Sequence, residues 1–233
     1  MSDSLPILLI PGLLCTPELY APQIPALWRF GPVMVADHTR DDSLAGIAGR
    51  VLTNAPPTFV VVGLSMGGYT ALEIMRQAPE RVARLALIDT QARPDTPEQS
   101  ERRRGQMAAA AEGRLGDVAD QLYPLMVAPG RHQDAALAAL WRRMADATGA
   151  EAFIRQQAAI MGRVDSRPDL AGIGCPTLVV VGDQDALTPP DRAEEMASGI
   201  PGAQLTKIAD SGHLSPIEQP DAVTAVLTAW LGR

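Results

Sequence analysis

The chain has 233 residues, of which 46% are hydrophobic and 20% charged, and a net charge of -7. That is apolar material enough for one α/β domain with an insertion, and the acidic balance, without a long basic run, excludes an electrostatic nucleic-acid binder. Cys15 and Cys175 give neither a disulfide framework nor metal spacing, and no segment reaches the roughly 18 apolar residues of a membrane span, so a cytoplasmic protein with reduced thiols is expected.

In chain order, strand-like runs alternate with helical ones, the pattern of a parallel sheet covered on both faces. Residues 5–10 read as a buried first strand; Pro6, Pro11 and Gly12 break the run and no basic segment precedes it, which argues against a secretory leader. Further strands are expected at 32–36, 58–63, 84–89, 176–182 and 203–208. Helices are expected at 17–28, 43–54, 66–78, 190–199 and 216–231. Several helix starts carry caps: Ser215-Pro216-Ile217-Glu218 and Thr96-Pro97-Glu98-Gln99 read as capping boxes, Thr16-Pro17 and Thr188-Pro189 as partial versions.

Between about 95 and 168 the alternation stops, and four helices are expected near 97–112, 114–127, 132–147 and 149–162, punctuated by Gly113, Pro129-Gly130 and Gly149. This divides the chain into a core of 1–94 and 169–233 and a helical cap of 95–168. An insertion that leaves one strand and returns to the next should sit over their carboxyl edge, where open parallel sheets bind ligands.

The chemistry is concentrated at Gly63-Leu64-Ser65-Met66-Gly67, directly after Phe59-Val60-Val61-Val62. A serine at a sharp strand-to-helix turn, with small residues two positions on either side, presents its hydroxyl clear of the sheet. The pentapeptide alone would arise by chance in on the order of one chain in ten. The uncharged strand before it and the helical Tyr69–Ala78 after it are what make Ser65 a candidate nucleophile.

Such a serine needs a base, and there are three histidines. His213, in the glycine-bearing loop Ala209–Ser215 after the last strand, is the preferred one. His38 also follows a strand, but Asp37–Asp42 reads as a solvated loop, and His132 starts a cap helix. A carboxylate must orient the base. Asp185, three residues past the strand end at Gly182, is preferred over Asp183, with Asp89 a third candidate whose bland role is capping the turn into the insertion. For the oxyanion, the amides of Met66 and Leu13 are the expected donors. Leu13, Leu14, Met126, Trp141 and Met144 are expected to line the substrate pocket, although packing of the cap on the core is the bland alternative for each. Arg102-Arg103-Arg104 reads as a solvated helix face.

Together, the order Ser65, Asp185, His213, the Gly-Leu-Ser-Met-Gly-Gly elbow, Gly-Asp-Gln-Asp-Ala-Leu-Thr-Pro and Gly-His-Leu-Ser-Pro-Ile-Glu-Gln-Pro resemble the α/β-hydrolase superfamily over nearly the whole chain. The chain looks most like its small capped esterases and lactonases, those related to 3-oxoadipate enol-lactonase and pimeloyl-ester carboxylesterases. The resemblance implies a serine hydrolase of a small or medium ester or lactone, acting through an acyl-enzyme on Ser65 on a small-molecule partner, with no metal or organic cofactor. Two other readings are a C–C hydrolase or lyase with the same three residues, in which Arg155, Gln156 and Gln157 would hold an acidic substrate, and a non-catalytic ligand receptor. Two departures stand out: Pro11 replaces the histidine usual in the oxyanion loop, and the chain starts at what would be the family's third strand, so about six mainly parallel strands are expected instead of eight.

Overall fold

The computed structural model describes residues 4–233; residues 1–3, part of the expected core segment, lie outside the described residues. Its centre is a six-stranded, wholly parallel sheet in the order β2-β1-β3-β4-β5-β6. In chain order the elements are β1 (Ile7–Ile10), α1 (Ile24–Leu27), β2 (Val33–Val35), α2 (Leu44–Asn54), β3 (Phe59–Leu64), α3 (Met66–Gln77), β4 (Val82–Ile88), α4 (Pro97–Ala111), α5 (Leu115–Met126), α6 (Ala135–Met161), β5 (Thr177–Gly182), α7 (Pro190–Gly199), β6 (Gln204–Ile208), α8 (Ser215–Glu218) and α9 (Pro220–Leu231). Strands β1, β3 and β5 are buried along their full length, as uncharged β-branched runs in a parallel sheet should be. The register aligns Ile10 with Gly63 and Leu64 with Ile88, so the carboxyl ends of the central strands form one edge. Among the described residues no helix is long and apolar enough to cross a membrane.

Proline redraws two expected helices. The segment 17–28 is a short 3-10 turn, Pro17–Tyr20, followed by the single turn of α1, because Pro22 and Pro25 cannot donate to a continuous ladder. The segment 216–231 divides at Gln219, held at φ -131°, ψ 62° just before Pro220. Thr16 and Thr96 form their expected caps, Thr96 with Gln99 as a full capping box. Ser215 does not: Leu214 takes the cap position and the Ser215 hydroxyl turns to Asp89, while Thr188 turns to Asp185.

Three long helices, α4 to α6, fill the span between β4 and β5. Within α6 the stretches expected at 132–147 and 149–162 are two helical segments that meet at Gly149, whose φ 77°, ψ 164° is not helical, and the Asp134 side chain caps the start of the first. The indole of Trp141 donates to the Ala119 carbonyl at 2.8 Å, tying α6 to α5.

Candidate active site

Ser65 sits between β3 and α3 at φ 54°, ψ -115°. A non-glycine residue there costs on the order of 1–3 kcal/mol, and it persists only where the surroundings over-determine it. Here they do: the Ser65 amide donates to Ile88 in β4, and its carbonyl accepts from the amides of Gly68 and Tyr69 and the Thr90 hydroxyl. Gly67 is needed because a methyl there would strike the carbonyl oxygens of Ile10 and Pro11; Gly63, because one there would strike the carbonyl of Gly67. The elbow and the loop after β1 are thus packed backbone to backbone.

The structure brings the three residues singled out from the sequence into one line. The Ser65 Oγ lies 2.8 Å from His213 Nε2, and His213 Nδ1 lies 2.8 Å from Asp185 Oδ2. Asp185 is itself pinned: Oδ1 accepts from the amides of Leu187 and Thr188 at 2.8 and 2.9 Å, and Oδ2 from the Thr188 hydroxyl at 2.7 Å. His213 and Asp185 are buried, whereas Ser65 is partly open. Burial alone would lower His213, but the charge and hydrogen bond of Asp185 outweigh it and raise the imidazole above its usual range. Burial likewise works against ionised Asp185, and the contact with His213 holds it below the ordinary carboxylate value. Asp183 is exposed and His132 is exposed.

Two expectations for acidic and basic residues nearby need correction. Asp89 does not cap the turn into the insertion. It is fully buried, accepts from the Gly182 amide through Oδ1 and from the Ser215 amide and hydroxyl through Oδ2, and so clamps the ends of β4 and β5 to the loop carrying His213. Burial, with Asp185 close by, pushes its carboxyl up to about 8. His38 is not in a solvated loop: only 3% exposed, it places Nε2 2.9 Å from the Gly12 carbonyl oxygen. Burial lowers it below the usual imidazole value.

The amides of Leu13 and Met66 donate to no protein acceptor among the described residues. The next amide, Leu14, is occupied by Gln156 Oε1 at 3.1 Å, a bond that holds Leu14 at φ 59°. Glu218 accepts from the amides of Ala128, Gly212 and Leu214, joining the His213 loop to the chain leaving α5.

A cavity of about 90 Å³ opens beside Ser65 and His213. Its apolar lining is Leu13, Leu122, Leu125, Met126, Ile160 and Leu187; its polar lining, besides Ser65 and His213, is Tyr69, Gln91, Gln99, Arg102, Arg103, Gln106 and Thr188. Of the expected pocket residues, Leu13 and Met126 line it. Leu14, Trp141 and Met144 do not; each is at most 1% exposed and packs in the core. Arg102 and Arg103 therefore border the cavity, Arg102 while remaining exposed; the expected solvated face holds for Arg102 and for Arg104, paired with Glu101, and not for half-buried Arg103. Arg155, Gln156 and Gln157 do not line it: they bond to Thr39, Leu14 and Arg103 respectively.

A parallel sheet that carries a strained serine on its carboxyl edge, with a histidine and a carboxylate supplied by the loops after later strands, defines the α/β type of hydrolase. The chain belongs to the alpha/beta hydrolase family, whose model matches residues 5–226. It is similar to an esterase from Thermogutta terrifontis solved with malate bound, at 31% identity and TM-score 0.90, covering 98% of this chain and 89% of that one. It is also similar to the enol-lactonase of Burkholderia xenovorans LB400, at 27% identity and TM-score 0.89, covering 100% and 93%. In sequence it is 31% identical to a provisionally named non-heme bromoperoxidase, BpoC, of Mycobacterium tuberculosis over 72% of this chain, a match spanning 65% of that protein, just under two thirds of its length. It is 25% identical to the pimeloyl-[acyl-carrier protein] methyl ester esterase of Neisseria meningitidis over 88% of this chain and 83% of that one.

Proposed function

We propose that the protein is a serine hydrolase of carboxylic esters or lactones, with Ser65 as nucleophile, His213 as general base and acid, and Asp185 as the carboxylate that orients it. One arrangement carries the reading: the Ser65 hydroxyl, on a strained turn, is hydrogen-bonded to His213 Nε2 at 2.8 Å, with two undonated amides beside it. Ser65 Oγ attacks the ester carbonyl as its proton passes to Nε2; the carbonyl oxygen gains charge and is held by the amides of Leu13 and Met66, each worth about 3 kcal/mol in the transition state. As the tetrahedral intermediate collapses, the alkoxide leaves with the proton from Nε2, and the acyl group remains on Ser65. Water then attacks with His213 as base, and the acid is released as the serine recovers its proton.

The relatives named as an esterase, an enol-lactonase and a methyl ester esterase support a carboxylic ester or lactone as the bond cleaved. The unpaired cysteines, Cys15 and Cys175, support a reducing, cytoplasmic setting. The test is turnover of short 4-nitrophenyl esters by the wild type and by Ser65→Ala. A fall in kcat of at least about 10³-fold is expected; an unchanged rate would end the proposal.

A further inference from the structure

The polar wall of the cavity belongs largely to α4, where Gln99, Arg102, Arg103 and Gln106 fall at i, i+3, i+4 and i+7 and so share one face. Their hydrogen bonds decide what that face offers. An arginine only donates, so Gln157 must turn its oxygen to Arg103 Nη1, 2.7 Å away. The Gln157 amide nitrogen is then the end that donates to Gln106 Oε1 at 2.9 Å, which leaves Gln106 with only its NH2 group free. The capping box does the same at Gln99, whose oxygen accepts from the Thr96 amide at 2.8 Å.

Arg102 pairs with no acid among the described residues, while its neighbours Arg103 and Arg104 pair with Asp95 and Glu101. Behind the wall the single carboxylate of Asp95 serves two guanidiniums, at 2.7 Å to Arg103 and 2.6 Å to Arg163. Among the described residues no aspartate or glutamate lines the cavity, although the chain as a whole carries -7. The α4 face therefore presents donors without competing acceptors, a combination that suits an anion and disfavours a cation.

We propose that this wall is a carboxylate subsite, so that the substrate is an acidic ester or lactone whose second, ionised carboxyl group is held by Arg102 and the amides of Gln99 and Gln106. The proposal rests on the esterase reading of Ser65 and adds a substrate class to it. One free guanidinium matches one negative charge, and Leu122, Leu125 and Met126 in the same cavity can take the methylenes between the two carboxyl groups.

The test compares mono-4-nitrophenyl adipate with 4-nitrophenyl hexanoate, which share a six-carbon acyl chain and differ by the terminal carboxylate. At low salt, kcat/KM should favour the acid ester by at least about tenfold, the scale of one charged hydrogen bond. The preference should shrink severalfold with added salt and by about tenfold in Arg102→Gln. Cleavage of both esters with a ratio near one, or a ratio unchanged in Arg102→Gln, overturns the subsite and leaves the esterase reading standing. Failure of the wild type to cleave either ester overturns both.

A different observation concerns the expected oxyanion donor Leu13. Its amide belongs to the same peptide unit as the Gly12 carbonyl, and that carbonyl accepts from buried His38 Nε2 at 2.9 Å and from the Cys15 amide at 3.1 Å. Since a carbonyl only accepts, His38 carries its proton on Nε2. The peptide is planar, so fixing its oxygen on one side fixes the direction of the Leu13 N–H on the other. Here Pro11 occupies the loop and no neighbouring side chain in the sequence supplies this bond. We infer that His38 is a positioning residue for the oxyanion hole.

His38→Leu should lower kcat about 10- to 100-fold, approaching the loss of a donor itself, with KM changed less than about twofold. His38→Gln, which can return an N–H to the Gly12 carbonyl, should recover most of it. Affinity for a boronic acid, which mimics the tetrahedral intermediate, should fall and recover in parallel. A His38→Leu protein that melts earlier but keeps its kcat and boronate affinity would show the histidine to be structural only, as would His38→Gln failing to recover while folding normally.

Discussion

Replacing Asp185 by asparagine is a nearly isosteric change whose outcome the hydrogen bonds dictate. Oδ1 accepts from two backbone amides, at 2.8 and 2.9 Å, and an NH2 group there would oppose two donors. The asparagine oxygen must therefore keep the Oδ1 place and its nitrogen take that of Oδ2, 2.8 Å from His213 Nδ1. A donor facing Nδ1 forces the imidazole proton onto Nε2, which then points a proton at Ser65 where an acceptor is required. The fold keeps both backbone bonds, and the Thr188 hydroxyl has only to accept in place of donating. We expect kcat on 4-nitrophenyl butyrate to fall about 10⁴-fold, equivalent to about 5 kcal/mol at 1.36 kcal/mol per tenfold. The melting temperature should stay within about 4 °C, the scale of 1 kcal/mol for a chain of this size. A kcat within tenfold of wild type would refute the reasoning: Asp185 would not be setting the tautomer, and Asp89, a second buried carboxylate near His213, would be the next to test.

Two further predictions follow from the same geometry. Because Asp185 raises His213, the base form of the imidazole is reached only above the usual pKa of 6.5, so kcat/KM should climb with pH through one ionisation above 6.5. A limb at or below 6.5 in the wild type would contradict this; in the residual activity of Asp185→Asn the limb should move down, since burial is then opposed only by the weaker influence of Asp89 and Glu218. Gly67→Ala should cost at least about 2 kcal/mol, because its methyl meets the backbone carbonyls of Ile10 and Pro11 and neither is the movable end of a side chain. Thermal melting should show a fall of roughly 4 °C or more, and a stable variant would mean that the elbow and the loop after β1 can separate freely.

How far the sequence could be read depended on how local each cause is. The strands were legible because long uncharged β-branched runs such as Phe59–Val62 and Thr177–Val181 have few other uses. Ser65, Asp185 and His213 were legible because each lies just past such a run or its glycine-bearing turn. His38 was not, since its partner is a carbonyl 26 residues earlier and the charges around it, Asp37 and Arg40, pair with each other at the surface. The cavity face of α4 was hidden for another reason: it is polar, so apolar periodicity gives no sign of it, and a run of arginines reads as solvated until a cavity is seen in front of it. Trp141 and Met144 erred in the opposite direction, being large apolar residues whose spacing suits a roof and whose place is the packing among the inserted helices. Glu218 shows a partial success: it bonds to the cap residue's amide as a capping-box glutamate should, but that cap is Leu214, because buried Asp89 recruits the serine.

The central claim is that Ser65 carries the acyl group. The most direct measurement is intact-protein and peptide mass spectrometry after acid quench of a slowly deacylating 4-nitrophenyl ester. The account predicts a mass gain equal to one acyl group, located on the peptide containing Ser65 and absent from Ser65→Ala; turnover with no adduct at Ser65, or an adduct that persists in Ser65→Ala, would contradict it.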